Sequence, residues 1–403
     1  MIHKKLSIIF STILISLFLI SAISAVRYIS GCQTLSSSGE TYILNQNIVQ
    51  NSNSDCLKIT RPNIILDCNG KSITSTRNII GVLVDNSNSV TIKNCYIDVG
   101  SGIGGYGINI IDSDNTKILE NTLNNQYMGL SAHGSNNVRI ENNIINNNAR
   151  NGIYIISGSS NIISGLQATN NLIGLQLYYS SNNLVKDSII TGNIEQDTLI
   201  SANFPPFSLN NIFLNVKHNK EYVEAYHFSG QGSELIRKWY YKAQVKDTNQ
   251  NPIKNANVKI KAKNNTVVYD LTTDSNGFIY TVDLFSYINT GNLNEYHYPY
   301  EIKVSYNNIE TTKTLNQLND NILNDLIILN IAEESNTSNC NGADLDNDNK
   351  VWLSDWSIFR WNFGKRDCSI QNNFCNKADI DKNGKVWLAD WGIFRTNFRN
   401  KIC

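Results

Sequence analysis

The sequence predicts a mainly β protein in three parts: a right-handed parallel β-helix, a β-sandwich, and a small helical module built on two oxygen-rich loops. Three observations carry this. Strand-like segments opening on glycine recur along much of the first half, mostly 22 or 23 residues apart. Alternating strands separated by turn residues fill 236–331. A twelve-residue acidic pattern then appears twice, 35 residues apart.

At the N-terminus, MIHKK is followed by LSIIFSTILISLFLISAISAV, with small residues near Ala22 to Ala25. A basic start, an apolar run and a small-residue end read as an export signal over 1–25. The run of about 20 residues could also span a bilayer, so membrane attachment is expected only if it stays uncleaved. The expected location is secreted or cell surface. Lys plus Arg and Asp plus Glu balance at 34 each in 403 residues. That balance gives no bulk attraction to nucleic acid, and no such partner is expected. All eight cysteines, Cys32, Cys56, Cys68, Cys95, Cys340, Cys368, Cys375 and Cys403, lie beyond the signal. In an exported chain they are expected to form disulfides.

The β-helix is assigned to 26–235, with an N-terminal cap. GVLV at 81, GINI at 107, GLSA at 129, GIYI at 152 and GLQL at 174 form one series. TIKNCYI at 91, KILENTL at 117, VRIENNI at 138 and LVKDSII at 184 form a second. With no helical period and no proline between Pro62 and Pro205, each unit is a coil of short strands and tight turns. One coil cannot bury its apolar face, but a stack aligns Ile, Leu and Val into a continuous interior. Asn94, Asn121 and Asn142 are expected to stack at one corner. Cys68 and Cys95 are expected to bridge consecutive coils, leaving Cys32 and Cys56 for the cap.

These repeats resemble the right-handed β-helix family, including the copper-associated NosD proteins and many carbohydrate-active enzymes. The resemblance implies the fold and, more weakly, contact with polysaccharide. Lyases and hydrolases of that kind use clustered acids. The acids available are Asp85, Asp112 and Asp114 after the glycine strands, and Glu120 and Glu141, which are expected to stack with Lys93 as a solvated charge ladder. His133 and Arg139 are close in sequence, but no motif ties them to a carboxylate. Copper would need soft or imidazole clusters, and Met1 and Met128 are the only methionines. Tyr127, Tyr154, Tyr178 and Tyr179 could offer rings for sugars or serve as packing. No catalytic residue is assigned.

From 236 to 331, WYYKAQVK, ANVKIKAK, FIYTVDL, YEIKVSY and LIILNI alternate in hydrophobicity, with DTNQNP and DSNG as reversals. The arrangement resembles immunoglobulin-like modules of the carboxypeptidase regulatory-like type, which implies a spacer or adhesion unit. A polar linker spans 332–339. NNT at 264 and NTS at 336 match the glycosylation sequon.

The last part, 340–403, carries DLDNDNKVWLSD from 344 and DIDKNGKVWLAD from 379. A hard cation such as calcium takes six to eight oxygens, which acids at loop positions 1, 3, 5 and 12 wrap around one point. Two Ca²⁺ sites are expected. One uses Asp344, Asp346, Asp348, Asp355 and the Lys350 carbonyl; the other uses Asp379, Asp381, Asn383, Asp390 and the Lys385 carbonyl. Asn349 and Gly384 occupy the sharp turn at position 6. Val351 and Val386 are expected to pack the two loops together, and one helix is expected to start at each position-12 acid. Trp356, Trp361 and Trp391 are expected to pack those helices.

Duplicated loop-plus-helix units of this kind resemble dockerin of type I, whose partner is cohesin. The chain departs from that family at Trp352 and Trp387, and at Leu353-Ser354 and Leu388-Ala389, positions that contribute to partner choice. Two disulfide pairings stay open: Cys340–Cys368 with Cys375–Cys403, or Cys340–Cys403 with Cys368–Cys375. The reading is an exported modular protein whose β-helix binds glycan and whose tail docks to a cohesin-like or other surface protein. The alternatives are a polysaccharide lyase or glycoside hydrolase, and a non-catalytic adhesin.

Overall fold

The computed structural model describes residues 25–224, 232–331 and 340–399. Residues 1–24 of the expected signal, 225–231 of the expected β-helix, the 332–339 linker and Cys403 lie outside the described residues. Among the described residues, no helix is long and apolar enough to cross a membrane.

The solenoid is a parallel β-helix of about nine turns, with three sheet faces. The first face has nine strands, from Gln33–Leu35 to Glu221–Val223. At its centre lie Ile80–Asp85, Tyr106–Ile111, Met128–His133, Asn151–Ile156 and Ile173–Tyr178, all parallel and in register. The second face includes Thr91–Lys93, Lys117–Leu119, Arg139–Glu141 and Ile162–Ser164. The third includes Tyr96–Asp98, Thr122–Asn124, Ile144–Asn146 and Gln167–Thr169. Inside, side chains such as Ile108, Leu130, Ile153, Leu175, Ile118 and Ile140 have no exposed surface.

The recurring glycines have a steric cause. A Cβ on Gly107 would lie 2.6 Å from the Gly129 carbonyl oxygen, one on Gly129 2.7 Å from that of Gly152, and one on Gly152 2.6 Å from that of Gly174. Each coil meets the next too closely there for any side chain.

The corners are held by buried amides stacked along the axis. Asn148 Oδ1 accepts the Gln126 N–H at 3.0 Å, Asn171 Oδ1 the Asn148 N–H at 3.0 Å, and Asn193 Oδ1 the Asn171 N–H at 3.0 Å. The row ends on Asp197, whose carboxylate accepts from Asn193, Asn219 and Lys220. A second row joins Asn121 to Asn143. The expected trio of Asn94, Asn121 and Asn142 is therefore corrected. Asn94, Glu120 and Asn142 share the left-handed position, each with φ of 57°. Asn121 is one residue further on, buried with Asn143. One asparagine turns the chain and the next bonds between coils.

Bridges join Cys32 to Cys56 and Cys68 to Cys95, with Cα separations of 4.4 and 4.8 Å. The solenoid does not end at a linker. Strand Leu235–Lys246 pairs in parallel with Asn211–Lys217 as a last rung, and in antiparallel with Val282–Asn289. A separate four-stranded antiparallel sheet holds Val267–Thr272, Asn257–Lys261, Tyr300–Tyr306 and Ile309–Leu315. Tyr300 and Tyr269 donate from it to the Phe285 and Asp283 carbonyls at 2.9 and 3.0 Å, over buried Tyr241, Val258, Leu284, Ile302 and Val304.

The solenoid and the two sheets that follow it, up to Ile327, form one compact unit, and the residues from Ile328, with Asp247–Asn251, a second. In the second, helices α1 (Leu353–Asn362) and α2 (Leu388–Asn397) pack through Trp356, Phe359, Trp391 and Phe394. The Trp356–Trp391 and Phe359–Phe394 ring centroids lie 5.1 and 4.9 Å apart. Trp361 is a correction: it is 81% exposed and leaves the packing to the other two tryptophans. Cys368 bonds Cys375, which excludes the pairing of Cys340 with Cys368. Cys340 is itself disulfide-bonded, and Cys403 falls outside the described residues.

Candidate functional site

The first face of the solenoid presents a stripe of rings and amides. Strand register aligns Asn109, Ser131, Tyr154 and Gln176 in one outward row, and Ile111, His133, Ile156 and Tyr178 in another. The His133 and Tyr154 rings are 6.0 Å apart, Tyr154 and Tyr178 are stacked at 6.5 Å, and Tyr178 and Tyr179 are 4.4 Å apart. Phe204, 60% exposed on the following longer corner, continues the stripe 5.4 Å from Tyr179. On the opposite edge Tyr127 lies edge-on to Tyr106 at 6.5 Å. The sequence offered Tyr127, Tyr154, Tyr178 and Tyr179 as stacking or packing rings without assigning them a face. Tyr106 and Phe204 escaped that reading, Phe204 because its corner breaks the repeat.

Between the rings the floor is polar and buried. Asn109, Ser131 and Asn151 have 8% exposure or less, and the Oδ1 atoms of Asn109 and Asn151 have no hydrogen-bond partner. His133 shares a 2.9 Å hydrogen bond with Ser131 Oγ. Burial pushes the His133 pKa down, against the pull of nearby Asp112, so its ring is neutral at neutral pH. Burial raises the Tyr154 pKa, opposed by Arg150.

The acid candidates divide. Asp85 sits opposite Ile111 and pairs with Lys58 at 3.2 Å. Asp112 follows that strand and faces His133 electrostatically, while Asp114 accepts from Asn136 at 2.7 Å at the corner. The expected row of Lys93, Glu120 and Glu141 is corrected: Lys93 aligns with Leu119 and Glu141, and Glu120 turns the corner. Lys93 pairs with Asp67 at 3.1 Å, and Arg139 with Glu141 at 3.6 Å, on the second face.

A buried polar network at the end of the solenoid left no signal in the sequence. His218 and Glu221 meet at 2.7 Å, Arg237 contacts His218, and Tyr287 and Asn289 donate to Glu221 at 2.8 and 2.6 Å. Burial pushes Glu221 up, but hydrogen bonds from His218, Asn289 and Tyr287 hold its pKa below the ordinary value. Burial lowers that of His218. Its residues come from 218–221, 237 and 287–289, so it became visible only when the strands paired.

In the C-terminal unit the two loops are built alike. The carboxylates of Asp344, Asp346, Asp348 and Asp355 each offer an oxygen within 4.8 Å of the others, as do those of Asp379, Asp381 and Asp390. Asn349 and Gly384 have φ of 66° and 89°. Asp355 accepts the Leu345 and Trp352 N–H groups at 2.6 and 2.8 Å, and Asp390 those of Ile380 and Trp387 at 2.7 and 2.8 Å. Each helix begins two residues before that acid, which occupies the first turn and favours the positive helix end. This corrects the expected start at Asp355 and Asp390. Burial, with Asp355 and Asp346 nearby, holds the Asp344 pKa above the carboxylate range, and Asp344 Oδ1 is buried without a hydrogen-bond partner.

Val351 and Val386 are buried, but their backbones do not join the loops to each other. Val386 bonds to Gly364 and Lys365 after α1, and Val351 to Arg399 after α2. The tryptophans at position 9 follow the same exchange: Trp387 stacks on Phe363 at 5.8 Å and Trp352 on Phe398 at 6.4 Å.

Residues 80–234 match the family model described as right handed beta helix region. No curated protein matches the chain. Among solved structures, the Dettilon tailspike protein is 17% identical over 47% of this chain and 42% of that one, with a TM-score of 0.39. A periplasmic alginate epimerase is 16% identical over 53% and 65%, with a TM-score of 0.33. A pectate lyase from a Bacillus species, solved with trigalacturonate, is 14% identical over 54% and 80%, with a TM-score of 0.34.

Proposed function

We propose that the chain is an exported modular protein whose solenoid binds an extended glycan along its first face. We further propose that its C-terminal unit orders around calcium and docks to a cohesin-like partner. The run of rings from half-buried His133, Tyr154, Tyr178 and Tyr179 to exposed Phe204 carries the first half. The apolar faces of sugar rings lie well on aromatic faces. Because the stripe steps from coil to coil, it suits a polymer better than a single sugar.

Affinity electrophoresis through gels cast with neutral and acidic polysaccharides tests this. At least one polymer is expected to retard the protein, and Tyr154→Ala with Tyr178→Ala to release it at an unchanged unfolding midpoint. Free migration through every gel refutes the glycan reading. The rival reading of a lyase or hydrolase draws on His133 and Asp112, and product release from the same polymers decides it. A purely structural adhesin predicts neither retention nor cutting.

The tail reading rests on the paired carboxylate loops and on the dockerin resemblance. The buried, unpartnered Asp344 Oδ1 fits a cation ligand. Asp344, Asp346, Asp348, Asp355 and the Lys350 carbonyl would hold one ion; Asp379, Asp381, Asn383, Asp390 and the Lys385 carbonyl would hold the other. A divalent ion supplies the charge that lets several carboxylates share one loop. Leu353 and Leu388, 64% and 66% exposed, stand where the family reads its partner. Absence of binding heat on titrating Ca²⁺ would remove this half and leave the glycan reading intact.

A further inference from the structure

We infer that Arg150 gives the ring-lined face a preference for anionic sugar polymers, carrying carboxylate or sulfate groups, over neutral ones. The inference rests on the glycan reading above. Arg150 is exposed at the edge where the third face turns into the first, immediately before buried Asn151. Its guanidinium donates to Tyr127 Oη at 3.0 Å and lies 6.0 Å from the centre of that ring. Tyr127, Tyr154 and Tyr106 are the groups that act on it electrostatically.

Four cations of the solenoid stand beside carboxylates, Arg27 with Glu40, Lys58 with Asp85, Lys93 with Asp67 and Arg139 with Glu141, while others such as Lys117 and Lys186 do not. Among the described residues, Arg150 has no carboxylate within 4.0 Å, although its planar fork is suited to one. The hydrogen bond to Tyr127 holds the fork in place and uses one of its five donors. The acids of this face lie toward the other edge, with Asp112 beside His133 and Glu224 near Tyr178. A sugar lying on Tyr154 therefore has a fixed cation on one side and carboxylates on the other. An anionic substituent is drawn toward Arg150. A neutral polymer can use the rings but leaves the cation without its strongest partner.

The test compares full-length protein binding to polygalacturonate with binding to the fully methyl-esterified polymer, and binding to dextran sulfate with binding to dextran. Each charged polymer is thus matched to a neutral one of the same backbone. The expected result is tighter binding to at least one charged member. Arg150→Gln is expected to cut that preference about tenfold or more at an unchanged unfolding midpoint, with part of it kept by Arg150→Lys. The pair that shows the preference identifies the anionic group. If the neutral partners bind equally, or Arg150→Gln keeps the full preference, the inference falls while the stacking surface stands. If no polymer binds, both fall together.

Discussion

Replacing Asn171 by leucine tests whether the buried amide row holds the coils together. Asn171 has no exposed surface. Its Oδ1 accepts the Asn148 backbone N–H at 3.0 Å and the Asn148 side-chain amide at 2.8 Å. Its own amide donates to the Ile145 carbonyl and to Asn193 Oδ1, both at 3.0 Å. Leucine fills a similar volume, so the loss is almost purely polar. The Asn148 N–H loses its acceptor inside the protein, and the Asn148 amide and Ile145 carbonyl each lose a partner. At about 1–3 kcal/mol for each of these three buried groups, the sum is about 3–9 kcal/mol. With a urea dependence of about 3 kcal/mol/M for a unit of this size, the midpoint should fall by about 1 M or more. Asn170→Ser is the control, because Asn170 is exposed and supplies only a left-handed turn, with φ of 57°. Circular dichroism in the β region during urea unfolding reads both. A midpoint loss for Asn171→Leu no larger than for Asn170→Ser would refute the claim that these amides hold adjacent coils.

Further outcomes follow from other parts of the fold. Gly152→Ala places a Cβ 2.6 Å from the Gly174 carbonyl oxygen and should cost about 1–3 kcal/mol in the same urea assay. Phe394→Ala empties a fully buried position in a small core; at about 3–5 kcal/mol it should abolish the near-ultraviolet circular dichroism of the C-terminal tryptophans. Five of the chain's 6 tryptophans lie in that unit, so the same signal should fall on chelation and return with Ca²⁺; a signal indifferent to both would count against the cation reading. In the His218 network, the folded-state pKa values of both His218 and Glu221 are depressed. The stability this gives is therefore present above their unfolded values, about 6.5 and 4.3, and is lost as pH falls through the folded ones. The melting temperature of the solenoid should decline on acidification from about pH 6.5, and His218→Gln should remove the upper part of that decline.

The repeat was legible because stacking imposes a period on glycine and on branched aliphatic residues, and those constraints act locally. Register within the repeat was harder. Paired asparagines such as Asn142 and Asn143 look interchangeable in sequence, yet one turns the chain and the other bonds between coils. That ambiguity put Asn121 and Glu120 one residue out of place in the sequence reading. In the tail, the spacing of the acids was readable because one loop supplies them all. The exchange of Trp352 and Trp387 onto the opposite helix ends was not, since it depends on how two copies pack. Trp361 reads like its neighbours in sequence and differs only in the direction its helix turns it. The His218 network needed strands almost seventy residues apart and had no linear trace at all.

The strand Leu235–Lys246 joins a solenoid strand on one side to a sandwich strand on the other within one continuous sheet, and this governs how the molecule responds to tension. A pull transmitted through the sandwich enters the solenoid along a hydrogen-bonded rung, so the bonds of Leu235, Ile236 and Arg237 to Asn211, Ile212 and Phe213 are stretched together in shear and not broken one after another. At that rung a load would be shared across the strand pairing as through a continuous fabric.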